Sequence, residues 1–461
     1  MPQSSQKKRG RMSVSEHSTR RPRVVRISVG GLYDEYDHEI VFPADDEFAI
    51  IYGPNGIGKT RVFEIVHAIQ RLDLAQLVSQ PFRTAVVEYD TEHHLRVDRR
   101  ELGDDGPELS FDLNYEGEAI ATFSTADLEA KASRRRVMRI GGSVWRPLSL
   151  GRWIDESDGE IITAREFRRR YGTTPGSQED ELPEALVEFA QSSPIHRIET
   201  QRLSASETQR RRGPFDEDEP EPMTVLRYAS DLSRRLSEAL ARNSRTTQAL
   251  DRTFPARLLS SDESSLSEDE IRTRYNEQSE RRERLTRISL IENEVELPLP
   301  ERELIPWERI VLTRYLEDTE EKLGTFDDIV KRVTLLEEML NRRLLRKSVR
   351  VSVENGVSIS TPGGRVIPLT DLSSGEQHEL IMAYDLLFRA DRGSLVLIDE
   401  PEISLHVAWQ RAFMNDMLRI CRVSGIRAII ATHSPQIIGK WWDRTQRLGP
   451  ELEQPGWSED Q

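Results

Sequence analysis

The sequence predicts an α/β fold, and three observations carry that reading. Short apolar runs of buried-strand length, Phe48–Tyr52, Leu395–Ile398 and Ala428–Ala431, each end at residues able to do chemistry. A glycine loop, Gly53-Pro-Asn-Gly-Ile-Gly-Lys-Thr60, follows the first run directly and opens a helical pattern over Arg61–Leu72. Between the first run and the other two lies a charged stretch of helical pattern, which reads as an insertion splitting one α/β body into two parts.

The bulk numbers bound the class. With 461 residues, 36% hydrophobic and 31% charged, the chain has room for two or three domains and a sizeable core. No apolar run approaches the roughly eighteen residues that a membrane span needs, so no membrane partner is expected inside the chain. The N-terminus is basic (Lys7, Lys8, Arg9, Arg11, Arg20, Arg21, Arg23) with no apolar segment behind it, unlike a secretory signal. A single cysteine, Cys421, allows no internal disulfide and suits a reducing cytoplasm, the expected compartment. The net charge of −15 argues against coating nucleic acid with the whole surface, although 65 Lys and Arg leave material for a local basic patch.

In chain order, residues 1–23 lack any hydrophobic period and read as a disordered basic tail, a solubilising leader or an arm touching nucleic acid. Strands are expected at Val24–Val29, Ile40–Phe42 and Phe48–Tyr52. Further β segments at Ala85–Tyr89, His94–Arg99 and Leu109–Tyr115 suggest an antiparallel subdomain. From about Ala126 the composition turns helical and charged, with Arg134–Arg136 and Arg168–Arg170 read as solvated helix faces. A short strand is expected within Ser192–Leu203, and Arg210–Pro222 runs from basic to acidic as an exposed linker. Met223–Leu345 reads as helical, with one apolar stripe over Ile329, Val333, Leu336, Leu340 and Leu344. Pro255, Pro298, Pro300, Pro306 and Gly324 are expected to cut it into short helices rather than a long coiled coil. Val349–Val353 and Val357–Ser360 form a hairpin pattern around Glu354-Asn355-Gly356, and a helix is expected over His378–Phe388. Trp441 and Trp442 are expected to pack rather than bind. The resulting domains are 1–23 tail, 24–205 N-terminal lobe, 206–345 helical insertion and 346–461 C-terminal lobe.

Four segments carry chemistry. In the glycine loop, backbone amides around Asn55, Gly56 and Gly58 can converge on phosphate oxygens at the positive end of the following helix. Lys59 would reach the β- and γ-phosphates, and Thr60 would give its hydroxyl to Mg²⁺. Leu395–Ile398 delivers Asp399 and Glu400 to a strand's carboxyl end, where Asp399 suits magnesium and Glu400 suits accepting a proton from attacking water. Leu372-Ser-Ser-Gly-Glu-Gln377 places Ser373, Ser374, Gly375 and Glu376 at a helix start, as a second anion site or simply as a helix cap. Since one chain needs only one triphosphate site, the sensible geometry is a dimer in which this segment meets the γ-phosphate held by the other copy. His433 follows Ala428–Ala431 and could hydrogen-bond a γ-phosphate and orient water.

These motifs, in this order, resemble an ABC-type ATPase head of the RecF, SMC and OLD-like branch. The phosphate loop, signature (Leu-Ser-Ser-Gly-Glu-Gln), Walker B run (Leu-Val-Leu-Ile-Asp-Glu-Pro) and switch histidine (Ala-Thr-His-Ser) all match, over about 26–205 and 346–440. Glu402-Ile-Ser-Leu-His406 resembles that branch's D-loop. The resemblance implies a two-lobed P-loop ATPase head with a mostly helical insertion, using ATP and Mg²⁺. It also implies a homodimer, or a higher homo-oligomer, closed around two ATP molecules. It implies a magnesium-sensing glutamine ahead of the insertion, for which Gln201 is the candidate, with Arg202 nearby arguable as structural.

Departures narrow the role. Transporter subunits place the signature nearer the phosphate loop, SMC proteins carry far longer coiled coils, and OLD nucleases continue into a nuclease domain that is not expected here. By resemblance to standalone bacterial ATPases of this type, the chain is expected to be the sensor or scaffold of an anti-phage defence system. Its effector, such as a nuclease, would be a separate chain. Two other readings compete: a DNA repair or recombination ATPase clamping DNA, and a regulatory scaffold that binds ATP with little turnover.

Overall fold

The computed structural model describes residues 21–101, 107–126, 138–140, 143–147, 152–155, 159–163, 182–199, 224–259, 265–291, 298–403, 405 and 407–449. They form two compact units, one from 21–199 with 390–449 and the other from 224–389.

The first unit begins with β1 (Val24–Leu32) and β2 (Tyr36–Val41), then the buried β3 (Phe48–Tyr52), the helices α1 (Lys59–Gln70) and α2 (Leu74–Ser79), and β4 (Thr84–Tyr89), β5 (His93–Glu101), β6 (Pro107–Tyr115) and β7 (Glu118–Ser124). All but β3 of these strands join one antiparallel sheet of order β2-β1-β4-β5-β6-β7. Alternation predicts this subdomain, because apolar residues at every second position line one face of a pleated strand. The last strand was not legible. Only Phe123 of β7 is buried, so it carries no alternation; the left-handed pair Glu116-Gly117 turns it back onto β6.

Between 138 and 163 the helical expectation fails for the described residues. Short strands stand there, β8 (Met138–Ile140), β9 (Ser143–Pro147), β10 (Arg152–Asp155) and β11 (Ile161–Thr163), in a four-stranded antiparallel sheet. The arginine triplets at 134–136 and 168–170 that weighted the composition lie outside the described residues, as do the tail 1–20 and the linker 210–222. Within the sheet Trp145 is fully buried, a packing role that charge composition does not reveal. Helix α3 (Glu184–Ser192) and strand β12 (Ile195–Glu199) follow, the strand lying inside the expected stretch.

The second unit contains α4 (Thr224–Leu259), α5 (Glu268–Arg287), α6 (Pro306–Gly324), α7 (Asp327–Arg343), the strands β13 (Ser348–Ser352), β14 (Gly356–Ser360) and β15 (Val366–Ile367), and α8 (Ser374–Tyr384). The predicted stripe on α7 is buried from Ile329 to Leu340, and the expected hairpin forms with Val349 opposite Ile359. Pro306 opens α6 and Gly324 ends it, but Pro255 does not break α4. Its missing amide falls near the last turn and deprives one carbonyl, Asp251 O, of its helical donor, while side chains bind the two carbonyls before it. Arg257 donates to Leu250 O at 2.9 Å, and the Thr253 hydroxyl donates to Ala249 O at 3.0 Å. Arg257 also grips the buried Asp318 of α6 with both guanidinium nitrogens. Helix α8 starts at its cap and so precedes the expected span. It is continued by a π-helical stretch, Asp385–Arg389. Stacked Tyr228 and Tyr384, 4.6 Å between centroids, join α8 to α4, and the Tyr384 hydroxyl reaches Asp231.

The chain then returns to the first unit with β16 (Leu395–Asp399), α9 (Val407–Ser424), β17 (Arg427–Ala431), α10 (Pro435–Ile438) and β18 (Thr445–Arg447). With β3 and β12 these strands make a five-stranded, wholly parallel sheet of order β12-β16-β17-β3-β18. Helix α1 contributes Val62, Phe63, Ile65, Val66 and Ile69 to a core shared with Ile51, Leu397 and Ile429 of this sheet and Val87, Leu95 and Phe111 of the antiparallel one. Residues of the sheet's other face, Ile50, Val396, Ile398 and Ile430, are equally inaccessible. Trp441 and Trp442 pack edge-on against Phe48 and Tyr52, as expected of packing residues. Cys421 is buried, which pushes its thiol up to about 12 and leaves it inert. No helix among the described residues is long and apolar enough to cross a membrane.

One buried cation staples the two sheets. Arg427, at the start of β17, lies 3.6 Å over the Phe42 ring and donates to the carbonyls of Val24, Phe42, Pro43 and Asp46. Burial lowers its pKa to about 10, yet it has acceptors for its donors. Replacing it by Ala would remove the bonds to all four carbonyls, leaving Pro43 O its bond from the Asp46 amide, at about 3 kcal/mol. The thermal-unfolding midpoint of Arg427→Ala is expected to fall by about 6 °C or more; an unchanged midpoint would show the staple to be dispensable.

Candidate functional site at the carboxyl edge of the parallel sheet

The site follows from strand register. Asp399 pairs with Ala431, and Ala431 pairs with Ile51, so β16, β17 and β3 end level with one another. The glycine loop leaves β3, Thr432 and His433 leave β17, and Glu400 leaves β16. The histidine strand lies between the other two, so one sheet edge gathers three segments far apart in sequence.

The loop's glycines are demanded by space and by backbone conformation. A Cβ on Gly53 would lie 2.5 Å from both Leu448 O and Ile57 Cδ1. Gly58 has φ of 92°, and a Cβ there would lie 2.3 Å from Leu32 Cδ2. As the residue before α1, Gly58 offers no side-chain cap to the helix's first-turn amides, the arrangement that suits an external anion. Asn55 and Gly56 are exposed at the loop's crest, and Thr60 is half-buried in the first turn of α1. Buried His38 supports the loop from below, its Nε2 lying 2.6 Å from Ile57 O.

Lys59 points back across the loop. It is buried, and its ammonium donates to Gly53 O at 3.0 Å and Pro54 O at 3.1 Å and contacts His433 Nε2. Burial lowers its pKa, and the charges of Glu400, Asp399 and Glu402 push the other way. His433 Nε2 lies 3.7 Å from Glu400 Oε1. Glu400 has a left-handed backbone, φ 47°, and donates its amide to Ala431 O at 2.8 Å. For a residue with a Cβ that conformation costs on the order of 1 kcal/mol, as is found where a side chain must be aimed.

The signature segment belongs to the second unit. Ser373 caps α8 in a complete capping box: its hydroxyl donates to Glu376 Oε2 at 2.9 Å and accepts from the Glu376 amide. Lys347 donates to both oxygens of Glu376, at 2.6 and 2.7 Å. Although burial raises the pKa of Glu376, the bonds from Lys347 and Ser373 hold it below the usual range. Ser373 and Ser374 are exposed and Gly375 is half-buried. Deeper in α8, Arg343 and Glu379 form a buried ion pair.

Lys59, Asp399, Glu400 and His433 therefore share one edge, with Thr60, Asn55, Gly56 and Gly58 on the adjoining loop and helix start. Ser373, Ser374, Gly375 and Glu376 lie together in the other unit. Gln201, Arg202, Ser404 and His406 lie outside the described residues. Sequence reading did not single out His38, Lys347, Gln410 or, as a separate role, Glu402. Glu402 had a local signal, an acid two residues past Asp399-Glu400; the others are defined by contacts far along the chain.

A phosphate-bearing ligand fits this edge: an uncapped helix start, a buried ammonium and close-packed glycines are a cradle for it. Among the described residues no three of His, Cys, Asp and Glu gather as a metal site by themselves. A magnesium ion in such a site takes one or two carboxylates and completes its shell with phosphate oxygens and water, and Asp399 with Thr60 are the residues that would hold it.

The fold and the site define the chain as a P-loop ATPase domain of the AAA/ABC type. A profile of the family described as "AAA domain, putative AbiEii toxin, Type IV TA system" matches residues 48–439, and the chain belongs to that family. Among curated proteins it is similar to the lipoprotein-releasing system ATP-binding protein LolD 2 of Caulobacter vibrioides, 35% identical over 77 residues. That match spans 17% of this chain and 32% of that protein, so the chain covers about a third of its relative's length. Among solved structures it is similar to the Smc head domain with an extended coiled coil bound to the C-terminal domain of ScpA, from Pyrococcus furiosus (TM-score 0.34, 14% identity, 90% of this chain and 91% of that one). The SMC head domain from Thermotoga maritima follows (TM-score 0.30, 11% identity, 90% and 91%).

Gly58→Ala is expected to weaken binding of a fluorescent ATP analogue by at least about tenfold, because the helix start would be displaced from its ligand. Unaltered affinity would mean that the loop relaxes without consequence.

Proposed function

We propose that the protein is a magnesium-dependent ATPase whose heads pair around ATP, serving as the sensor or scaffold of an anti-phage defence system with a separate effector chain. The observation that supports the chemistry is the level ending of β3, β17 and β16, with Lys59, His433 and Glu400 in mutual reach. The family description, which names a type IV TA system, favours a defence role with a second component.

In this reading the loop amides and Lys59 bind the β- and γ-phosphates, and Thr60 and Asp399 hold the magnesium ion. The bound cation neutralises charge on the transferring phosphoryl group. Glu400, aimed by its left-handed backbone, accepts the proton of attacking water, and His433 holds that water and the γ-phosphate in line. Gln201 is assigned to sensing the cation. Ser373, Ser374 and Gly375 complete the site of a second copy, which requires the Ser373 hydroxyl to leave Glu376 and turn to phosphate.

Lys59→Ala is expected to abolish measurable binding of ATP at micromolar concentration. Glu400→Gln should bind ATP normally and lower kcat by roughly 10²–10⁴-fold. Wild-type turnover by Glu400→Gln would show that the base has been misassigned. The wider proposal is tested by the native mass of Glu400→Gln protein isolated from its own host, with and without ATP. A second polypeptide in the ATP-bound complex is the expected result; a bare dimer that binds DNA in an ATP-dependent manner would replace the defence role with a DNA clamp.

A further inference from the structure

Three carboxylates, Asp399, Glu400 and Glu402, stand close enough to Lys59 to act on its charge. They are not equivalent. Glu402 Oε1 accepts the His433 amide at 2.7 Å, and Glu402 Oε2 accepts the Thr432 hydroxyl at 2.8 Å. Both oxygens are thus committed to the backbone and side chain that carry the switch histidine, in charge-assisted bonds that are among the stronger kinds. Thr432 is wholly buried and its hydroxyl also accepts the Ser434 amide at 3.0 Å.

A second residue closes the same clamp. Gln410, on α9, donates through Nε2 to Glu402 O at 3.2 Å and to Leu405 O at 3.1 Å, while its Oε1 accepts the Ser434 hydroxyl at 2.9 Å. The segment leaving β16 and the segment leaving β17 are stitched together on both sides of His433. Ile403, between them, is 55% exposed, so the stitched segment also presents an apolar side chain outward.

We propose that Glu402 is a positioning residue for ATP hydrolysis: it holds the peptide of His433 so that the imidazole faces Lys59 and Glu400, and Gln410 fixes Glu402 in turn. This inference rests on the proposed function, and it assigns to Glu402 neither cation binding nor proton transfer, since both of its oxygens are already used. A general acid–base role stays with Glu400.

The test pairs kinetics with a readout that does not depend on turnover. Glu402→Ala is expected to lower kcat roughly ten- to a hundredfold, the usual cost of losing a supporting hydrogen-bond partner, while KM for ATP stays within about threefold. Introduced into His433→Ala protein, the same change should lower kcat no further, because its effect passes through the imidazole. Glu402→Gln, which keeps an acceptor for the His433 amide and can donate to Thr432, should recover part of the loss. Hydrogen exchange of the peptide spanning 431–435 should quicken in Glu402→Ala and remain unchanged in the strands of the antiparallel sheet. Unchanged exchange at 431–435, or full additivity with His433→Ala, would overturn the proposal. Turnover at the wild-type rate by Glu402→Ala would sink the clamp and leave the ATPase reading intact. If wild-type protein does not hydrolyse ATP while exchange at 431–435 still quickens, the ATPase reading fails and the clamp stands as a structural contact only.

Discussion

The level ending of three parallel strands is the constraint on which the site depends. Side chains alternate along a strand, so a one-residue slip of β17 against β3 or β16 would turn its buried residues to the opposite face. Ile429 and Ala431 share the core with α1, and Ala428 and Ile430 are wholly buried on the other side. Both faces are apolar, so register is held by the shapes on each side and by the parallel ladder rather than by a polar-out pattern. Arg427 adds a polar lock at the amino end of β17, where it binds four carbonyls of the β1–β3 region. The core thus sets where His433 emerges, and the chemistry inherits that position.

Charge at the carboxyl edge is arranged so that each group is held by a partner. A buried ammonium is costly unless it is paired and hydrogen-bonded. Lys59 has two carbonyls of its own loop, a ring nitrogen, and the field of three carboxylates. Glu402 answers to a hydroxyl and an amide. The left-handed backbone of Glu400 is a strained position of this edge, and it falls on the residue proposed to accept the proton.

The second unit solves a different electrostatic problem. The segment proposed to meet phosphate carries a carboxylate, Glu376, at its third helical position. The capping box turns that carboxylate back onto Ser373, and Lys347 neutralises it. Of the two readings of Leu372–Gln377 open from sequence, the structure shows the cap, and the anion site remains the proposal, in which Ser373 leaves that cap. The cap is present, and exposed Ser374 and half-buried Gly375 remain on the surface beside it. Below them the tyrosine stack and the Arg343–Glu379 pair anchor α8 within its own unit.

The local chemistry was written in short strings. Gly53–Thr60, Asp399-Glu400 and His433 were legible because a nucleotide site needs particular residue types at fixed spacing, immediately after apolar runs. The alternating strands β4–β6 and the stripe on α7 were legible for the same reason, since periodicity is a property of neighbouring residues. What tertiary structure decided was everything that depends on distant partners. Strand β7 and the small sheet β8–β11 have no apolar rhythm of their own. Helix α4 runs past Pro255, and Arg257 beyond it is paired with Asp318 on another helix. His38, Lys347 and Gln410 gain their roles from residues they meet only in the fold. The sequence by itself determined where the glycine loop, the acidic pair and the histidine stand after their apolar runs; the packing of a two-faced parallel sheet decided that Lys59, Glu400 and His433 meet, because register is a long-range agreement among buried surfaces that no single segment encodes.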